Sequence, residues 1–227
     1  LRIGEFYIYR KNYLPHDFVG AVLDFYESKT TLKGIPERED DYMRGKEHLN
    51  SCYGMMVTDI FREQNTVENG EWITTHEKTI EKTIEIYNNS SKRFLSYLWG
   101  VWVTAYARRN LWTGILALGD DYIYADTDSV KYLHPEIHDD YFNKYNRIVM
   151  EKLERACKYQ KIPIERIKPK TIKGIEKPLG VWDFDGFYTQ FKTLGAKRYI
   201  MEKDDKLNIT VCGLSKKAGK DYIENQK

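Results

Sequence analysis

Hydrophobic and polar positions along the chain follow two different periods. Alternating apolar and polar side chains, typical of strands with one buried face, occur near both ends of the chain. Apolar side chains with the helical period occupy most of the middle. The Asn-Gly pair at 69–70 predicts a tight hairpin turn, and the whole pattern predicts an α+β fold. The predicted strands are residues 2–9, 187–203 and 206–213, and the predicted helices are residues 18–29, 40–60, 77–87, 91–118 and 139–160.

A tight turn between two short apolar runs carries two carboxylates. Residues 122–125 and 130–133 are strand-like, and Asp126 and Asp128 lie between them, so this segment predicts a β-hairpin. Because carboxylates this close repel each other unless a cation lies between them, the pair is a candidate Mg²⁺ site. Asp and Thr are also ordinary turn residues, and the alternative is an Asx turn without a metal.

A second candidate site lies on the helix predicted over residues 40–60. Lys46, Asn50 and Tyr53 are spaced i, i+4 and i+7, so they form one stripe along the helix. A cation, an amide and an aromatic ring in line suit a nucleoside triphosphate, with the lysine on phosphate and the ring on the sugar or base. The alternative is an ordinary solvated helix face.

The two segments together resemble motifs of family B DNA polymerases. Residues 46–54, KEHLNSCYG, are similar to motif B of that family, K-x3-N-S-x-Y-G. Residues 124–129, YADTDS, are similar to its motif C, Y-x-D-T-D-S, and the two occur in the family's order. Weaker matches resemble the protein-primed phage branch of the family. These are KTT at 29–31, TAYAR at 104–108 and KRY at 197–199.

The resemblance implies an antiparallel palm sheet with packed helices, plus a two-helix fingers hairpin. It covers almost the whole chain and divides it into five parts. These are a palm strand at 1–12, the fingers hairpin with motif B at 13–60, an insertion between motifs B and C at 61–91, the palm at 92–213 and the start of a truncated thumb at 214–227.

The implied function is template-directed DNA synthesis from deoxynucleoside triphosphates by a two-metal mechanism. Asp126 and Asp128 would be the catalytic residues and the ligands of Mg²⁺, with Mn²⁺ as a substitute. The implied nucleotide-binding residues are Lys29, Lys46, Asn50 and Tyr53.

The implied partners are a DNA primer–template and, in the protein-primed branch, a terminal protein that supplies the priming hydroxyl. The sequence leaves open whether synthesis starts on that protein or on a nucleic-acid primer. Lys197 and Tyr199 are spaced i and i+2, which predicts that they share one face of a strand; an edge-strand lysine beside a packed tyrosine is the alternative. The implied DNA contacts are Gly54, Thr104, Arg108 (with Arg109 as an alternative), Lys197 and Tyr199.

One essential part of the family pattern is not found in the sequence. The family takes a further catalytic Asp from motif A, D-x-x-S-L-Y-P, and no segment of the 227 residues matches it. We therefore expect a fragment that lacks motif A, the exonuclease domain and most of the thumb, and that does not polymerise by itself. The alternative is a non-catalytic nucleic-acid-binding remnant of a polymerase. A reverse transcriptase palm is disfavoured, because its hairpin would carry adjacent Asp residues.

Composition changes this picture little. The 36 Lys and Arg residues nearly balance the 34 Asp and Glu residues, so the net charge of +2 does not by itself indicate nucleic acid. Three distant cysteines, Cys52, Cys157 and Cys212, predict neither a zinc site nor a disulfide framework. No apolar run approaches the roughly 18 residues that cross a bilayer. We expect no membrane partner and a location in the cytoplasm of a bacterium or phage-infected host.

Overall fold

A computed structural model describes residues 12–75, 78–204, 206–215 and 219 of the chain. Within them, helices are combined with small antiparallel sheets, which confirms the predicted α+β class. The strand predicted at residues 2–9, nearly all of the palm strand at 1–12 and most of the thumb segment at 214–227 lie outside the described residues.

The described residues form five α-helices and seven strands. The helices are α1 (His16–Thr31), α2 (Glu39–Met56), α3 (Ile80–Asn89), α4 (Tyr97–Leu118) and α5 (Pro135–Gln160). The strands are β1 (Gln64–Glu68), β2 (Glu71–Thr75), β3 (Tyr122–Asp126), β4 (Ser129–Tyr132), β5 (Gln190–Gly195), β6 (Arg198–Lys203) and β7 (Lys206–Val211).

The described strands form three separate antiparallel sheets. β1 pairs with β2, β3 pairs with β4, and β5, β6 and β7 form a three-stranded sheet in that order. Short turns join β1 to β2, β3 to β4 and β5 to β6, and β7 follows β6 closely in the chain, so every sheet is a hairpin or a meander. The described strands of residues 92–213, which were expected to form one sheet, therefore lie in two separate sheets.

The chain divides into two compact units. One consists of Leu1–Tyr106 and Ile148–Gly180, and the other of Ala107–Arg147 and Val181–Lys227. α4 and α5 each have residues in both units. The first unit contains α1, α2 and the β1–β2 hairpin, and the second contains the β3–β4 hairpin and the β5–β6–β7 sheet.

In the first unit, α1 and α2 pack against each other. Gly45 of α2 is buried, and a Cβ at this position would lie 3.0 Å from Cβ of Ser28 on α1. A glycine therefore allows the two helices to approach closely here. The buried core of this unit is formed by Leu23, Cys157, Ile162 and Ile167.

Two helices are shorter in the structure than the sequence predicts, and the reason is the same for both. α2 ends at Met56, earlier than predicted, and α4 begins only at Tyr97. The Met56 carbonyl accepts the Ser96 backbone N–H at 3.0 Å, and the Leu95 N–H donates to the Tyr87 hydroxyl at 2.7 Å. These tertiary hydrogen bonds occupy backbone groups that longer helices would use for their own ladders.

The hairpin predicted at residues 68–71 is confirmed. Asn69 and Gly70 lie in the left-handed region, with φ of 52° and 85°, as the tight turn between β1 and β2 requires. By contrast, the single long strand predicted over residues 187–203 is wrong. It is divided into β5 and β6 by a turn at Ala196 and Lys197, and Lys197 has a φ of 55°.

No described helix is both long enough and apolar enough to cross a membrane. The three cysteines are free thiols. Burial raises the pKa of both Cys52 and Cys157, which lowers their thiolate fraction at neutral pH.

Candidate functional site

The two carboxylates lie at the tip of the β3–β4 hairpin, as the sequence predicts. Asp126 ends β3 and is paired with Ser129 of β4, so Thr127 and Asp128 form the turn. The Asp128 N–H donates to the Asp126 carbonyl at 2.7 Å, and Thr127 has a φ of 57°. A β-branched residue is unfavourable in this left-handed conformation, so surrounding contacts must hold the turn in place.

Lys197 provides the principal contact to this turn. Its Nζ lies 2.7 Å from Oδ1 of Asp126 and 3.4 Å from Oγ1 of Thr127. Its backbone N–H donates to the Tyr124 hydroxyl at 2.8 Å, and its carbonyl accepts the Cys212 N–H at 3.0 Å. Both the main chain and the side chain of Lys197 are therefore fixed relative to Asp126.

An aromatic cluster joins the hairpin to the three-stranded sheet. The ring of Tyr124, which is buried, lies 5.1 Å from the Tyr199 ring and 5.5 Å from the Phe191 ring, centroid to centroid. Phe191 and Tyr199 are themselves 5.5 Å apart. Such contacts contribute about 0.5–1.5 kcal/mol each beyond the burial of their area.

The predicted relationship between Lys197 and Tyr199 needs correction. Lys197 lies in the β5–β6 turn and not on a strand, so the two residues do not share a strand face. The two residues contact different residues of the same hairpin. The Lys197 side chain binds Asp126, and the Tyr199 ring packs on Tyr124. The prediction from the i, i+2 spacing is therefore wrong, although both side chains contact the candidate motif C.

The ion pair sets the electrostatics of the turn. The hydrogen bond from Lys197 lowers the pKa of Asp126, partly opposed by desolvation, and a weaker contribution comes from Thr127. The same hydrogen bond raises the pKa of Lys197. The Asp126 side chain is 18 % exposed and the Lys197 side chain 52 %, so the pair is open to solvent on the lysine side.

The carboxylates of the turn have the chemistry of a Mg²⁺ half-site. Asp128 is exposed, and the Asp126 carboxylate accepts hydrogen bonds from Lys197 Nζ at 2.7 Å and from the Thr127 hydroxyl at 3.0 Å, both at Oδ1. Carboxylate oxygens are the ligands that Mg²⁺ prefers, and this ion commonly takes one or two of them together with substrate phosphates. In the described part of the chain, no group of three or more His, Cys, Asp or Glu side chains is arranged to hold a metal.

The stripe of residues predicted to bind a nucleotide lies on α2. Lys46, Asn50 and Tyr53 lie within that helix at the predicted spacing; Asn50 and Tyr53 are exposed and Lys46 is half-buried. Lys29, also half-buried, lies in the last turn of α1. At Gly54 an added Cβ would meet no atom within 4 Å, so packing within the described chain does not require glycine there.

The two candidate DNA contacts on α4, Thr104 and Arg108, differ in whether their side chains are available to a ligand. The Thr104 hydroxyl donates to the Val101 carbonyl at 2.9 Å and to the Gly100 carbonyl at 3.2 Å, so it is used within its own helix. Arg108 is exposed. The alternative, Arg109, is also exposed and takes part in a further interaction.

Sequence reasoning missed a cleft of about 810 Å³ in the second unit. Asp128 lines it, together with Lys131 and Tyr188. The Lys131 Nζ lies 3.3 Å from the Tyr188 hydroxyl and 4.5 Å from its ring centroid, and that hydroxyl donates to Asp185. Burial first, and then the bond to Asp185, raise the pKa of Tyr188. The only sequence signal was the density of aromatic residues over 182–191.

Comparisons of the chain with models of known protein families, with curated proteins and with solved structures find no match. The resemblance to a polymerase family therefore depends on the motifs themselves and on the contacts that their residues make.

Proposed function

We propose that this chain provides the fingers and palm of a family B DNA polymerase of the protein-primed branch, with Asp126 and Asp128 as ligands of the catalytic Mg²⁺. The observation that supports this most strongly is the 2.7 Å contact between Lys197 Nζ and Asp126 Oδ1. The two residues are 71 positions apart and lie in segments that resemble two different motifs of that family. Two motif matches that arose by chance would not be expected to place their residues in contact with each other.

In this proposal the hairpin tip presents the carboxylate oxygens of Asp126 and Asp128 as metal ligands. Lys197 forms an ion pair with Asp126. Asp126 and Asp128 would hold part of a two-Mg²⁺ site, which, once completed by the carboxylate of motif A, would activate the primer hydroxyl and hold the triphosphate. Asp128, exposed in the turn, offers its carboxylate directly to a cation. Lys197 lowers the pKa of Asp126 and places a positive charge beside the tip, where phosphate groups of primer or nucleotide would lie.

The α2 stripe would bind the incoming nucleotide. Lys46 supplies a cation for phosphate, and the exposed ring of Tyr53 can stack on sugar or base. Gly54 follows directly, and the free space around it lets a nucleic-acid backbone approach α2 without meeting a side chain.

Calorimetric titration with Mn²⁺ and a deoxynucleoside triphosphate tests the proposal. We expect binding by the wild-type chain and loss of binding in Asp128→Asn. Asp120→Asn is the matched control, because Asp120 is an exposed acid of the same unit that lies at the other end of β3 from the turn. Equal binding by all three proteins, or binding by none, would contradict the proposal.

Primer extension is the second part of the test. No motif A is found in the 227 residues, so one essential metal ligand is missing and we expect no template-dependent product from this chain alone. Efficient extension by the purified chain would show that the assignment of the metal ligands is wrong.

A non-catalytic nucleic-acid-binding remnant is the second candidate. It is favoured by the Lys197–Asp126 ion pair, since a lysine that neutralises the carboxylate can stabilise the hairpin without any metal. DNA binding that is unchanged by Asp128→Asn and insensitive to Mn²⁺ would support this candidate over the polymerase.

A further inference from the structure

A carboxylate at the base of the hairpin binds two histidines. Asp121 ends the short 3-10 helix Gly119–Asp121, directly before β3. Its Oδ1 lies 2.9 Å from Nδ1 of His134, and its Oδ2 lies 2.8 Å from Nε2 of His138. Its carbonyl accepts the Leu133 N–H at 2.9 Å. One residue thus connects the start of β3, the end of β4 and the first turn of α5.

The two histidines occupy different environments. The His138 side chain is 11 % exposed and its ring meets the Tyr132 ring edge-on at 5.7 Å, whereas the His134 side chain is 61 % exposed. Because an ionised carboxylate only accepts hydrogen bonds, both contacting nitrogens must carry a proton. The neutral form of His134 can satisfy this only as one tautomer, whereas the protonated form always does.

We propose that Asp121 is a positioning residue for the Asp126–Asp128 turn, and that protonation of His134 tightens the clasp formed by Asp121, His134 and His138. The consequence for catalysis rests on the proposed function, but the clasp itself does not. No contact of the clasp involves a candidate metal ligand.

The clasp anchors the base of the hairpin, whose other half is attached to the three-stranded sheet through Tyr124 and Asp126. A two-stranded hairpin is marginally stable in water without packing on other elements, and β3 and β4 are only 5 and 4 residues long. The strand register also shifts between Tyr122 and Tyr124, immediately above the base. The clasp fixes the hairpin on the base side of this irregularity and so limits the orientations that the tip can adopt.

The charges around the clasp determine its pH dependence. The hydrogen bond to Asp121 raises the pKa of His134, with a smaller contribution from Glu136 of α5. Hydrogen bonds from the two histidines lower the pKa of Asp121. Among the described residues, Tyr132 of β4 and Asp139 of α5 also face this region. The clasp should therefore be tightest in mildly acidic solution, loosen as pH rises through the pKa of His134, and fail as Asp121 is protonated at low pH.

Two-dimensional NMR of the full 227-residue chain tests the proposal. The ring resonances of His134 and the backbone amides of Thr127 and Asp128 are followed from pH 5 to 8 in the absence of metal. We expect the turn amides to shift with the same midpoint as the His134 ring, above the ordinary value of about 6.5. In Asp121→Asn the midpoint should fall to about 6.5 and the turn amides should lose this inflection.

Three further variants make the result specific. Asp120→Asn changes an adjacent exposed acid outside the clasp and should behave as wild type. His134→Gln removes the titrating ring and should abolish the inflection, and Asp121→Glu should restore part of it if Asp121→Asn acts through lost charge. The proposal is overturned if the wild-type turn amides do not follow His134, or if Asp121→Asn keeps the wild-type midpoint. Because no metal or nucleotide is used, failure of the polymerase proposal would leave this result unaffected.

Discussion

Lys197 Nζ lies 2.7 Å from Asp126 Oδ1, and the Lys197 backbone N–H donates to the Tyr124 hydroxyl at 2.8 Å. A residue of the β5–β6 turn is therefore attached to β3 at two points, one on each side of Ala125. This double attachment links the candidate catalytic hairpin to the three-stranded sheet, and it determines what substitutions at the site should do.

Replacement of Lys197 should change the ionisation of Asp126. In Lys197→Met the pKa of Asp126 should rise toward the usual range for aspartate, because the hydrogen bond that lowers it is lost. A lowered carboxyl pKa stabilises the fold above the unfolded value, and this stabilisation is lost as pH falls through the folded value. The variant should therefore lose less stability than wild type on acidification. Carboxyl-carbon NMR measures the pKa directly.

Lys192→Met is the control for this prediction, because Lys192 is an exposed lysine on β5 of the same sheet. Its pH titration of Asp126 should match that of wild type. A wild-type Asp126 titration in Lys197→Met would show that the ion pair does not form in solution.

The Tyr124 hydroxyl should contribute to stability independently of its ring. Tyr124→Phe keeps the aromatic contacts with Phe191 and Tyr199 but leaves the Lys197 N–H without its acceptor. We expect a loss of about 1–2 kcal/mol in the free energy of unfolding, measured by urea denaturation. Tyr124→Ala should cost more, because it also removes the ring. Equal stability of wild type and Tyr124→Phe would argue against the hydrogen bond.

Gly45 should resist substitution, while Gly20 should tolerate it. A Cβ at Gly45 would lie 3.0 Å from Ser28 Cβ and 3.5 Å from the Phe25 carbonyl, so Gly45→Ala should force α1 and α2 apart. We expect a cost of about 1–3 kcal/mol in thermal or urea unfolding. At Gly20, within α1, an added Cβ meets no atom within 4 Å, so Gly20→Ala should stabilise by up to about 1 kcal/mol. Similar losses for both variants would contradict the close packing of α1 on α2.

Gly54→Ala should weaken DNA binding without lowering the stability of the fold. The free space around Gly54 predicts a stability equal to or slightly above wild type. If the nucleic-acid backbone approaches α2 here, the added methyl group should weaken binding of a labelled primer–template, measured by fluorescence anisotropy. Gly20→Ala again serves as the control and should bind DNA as wild type does. Unchanged binding by Gly54→Ala would remove this residue from the candidate site.

The sequence predicted those elements whose signals are local. The carboxylate hairpin follows from two apolar runs around Asp126 and Asp128, and the β1–β2 turn from the Asn-Gly pair at 69–70, because each conformation is determined by the residues that adopt it. The helical face of Lys46, Asn50 and Tyr53 follows from the helical period alone.

The features that were missed depend on distant partners. The end of α2 and the start of α4 are set by the bond between Met56 and Ser96, which no periodicity contains. The turn that places Lys197 beside Asp126 follows Gly195, but the apolar alternation continued past it and indicated one strand. The Asp121 clasp needs two histidines 13 and 17 residues away, and their pairing is visible only in three dimensions.

Paramagnetic broadening by Mn²⁺ tests most directly whether the Asp126–Asp128 turn binds a divalent metal. With substoichiometric Mn²⁺, we expect the amide resonances of residues 126–129 to broaden first. Asp128→Asn should abolish the effect, and Asp120→Asn should preserve it. Broadening centred on another part of the chain, or undiminished at the turn in Asp128→Asn, would contradict metal binding by these carboxylates.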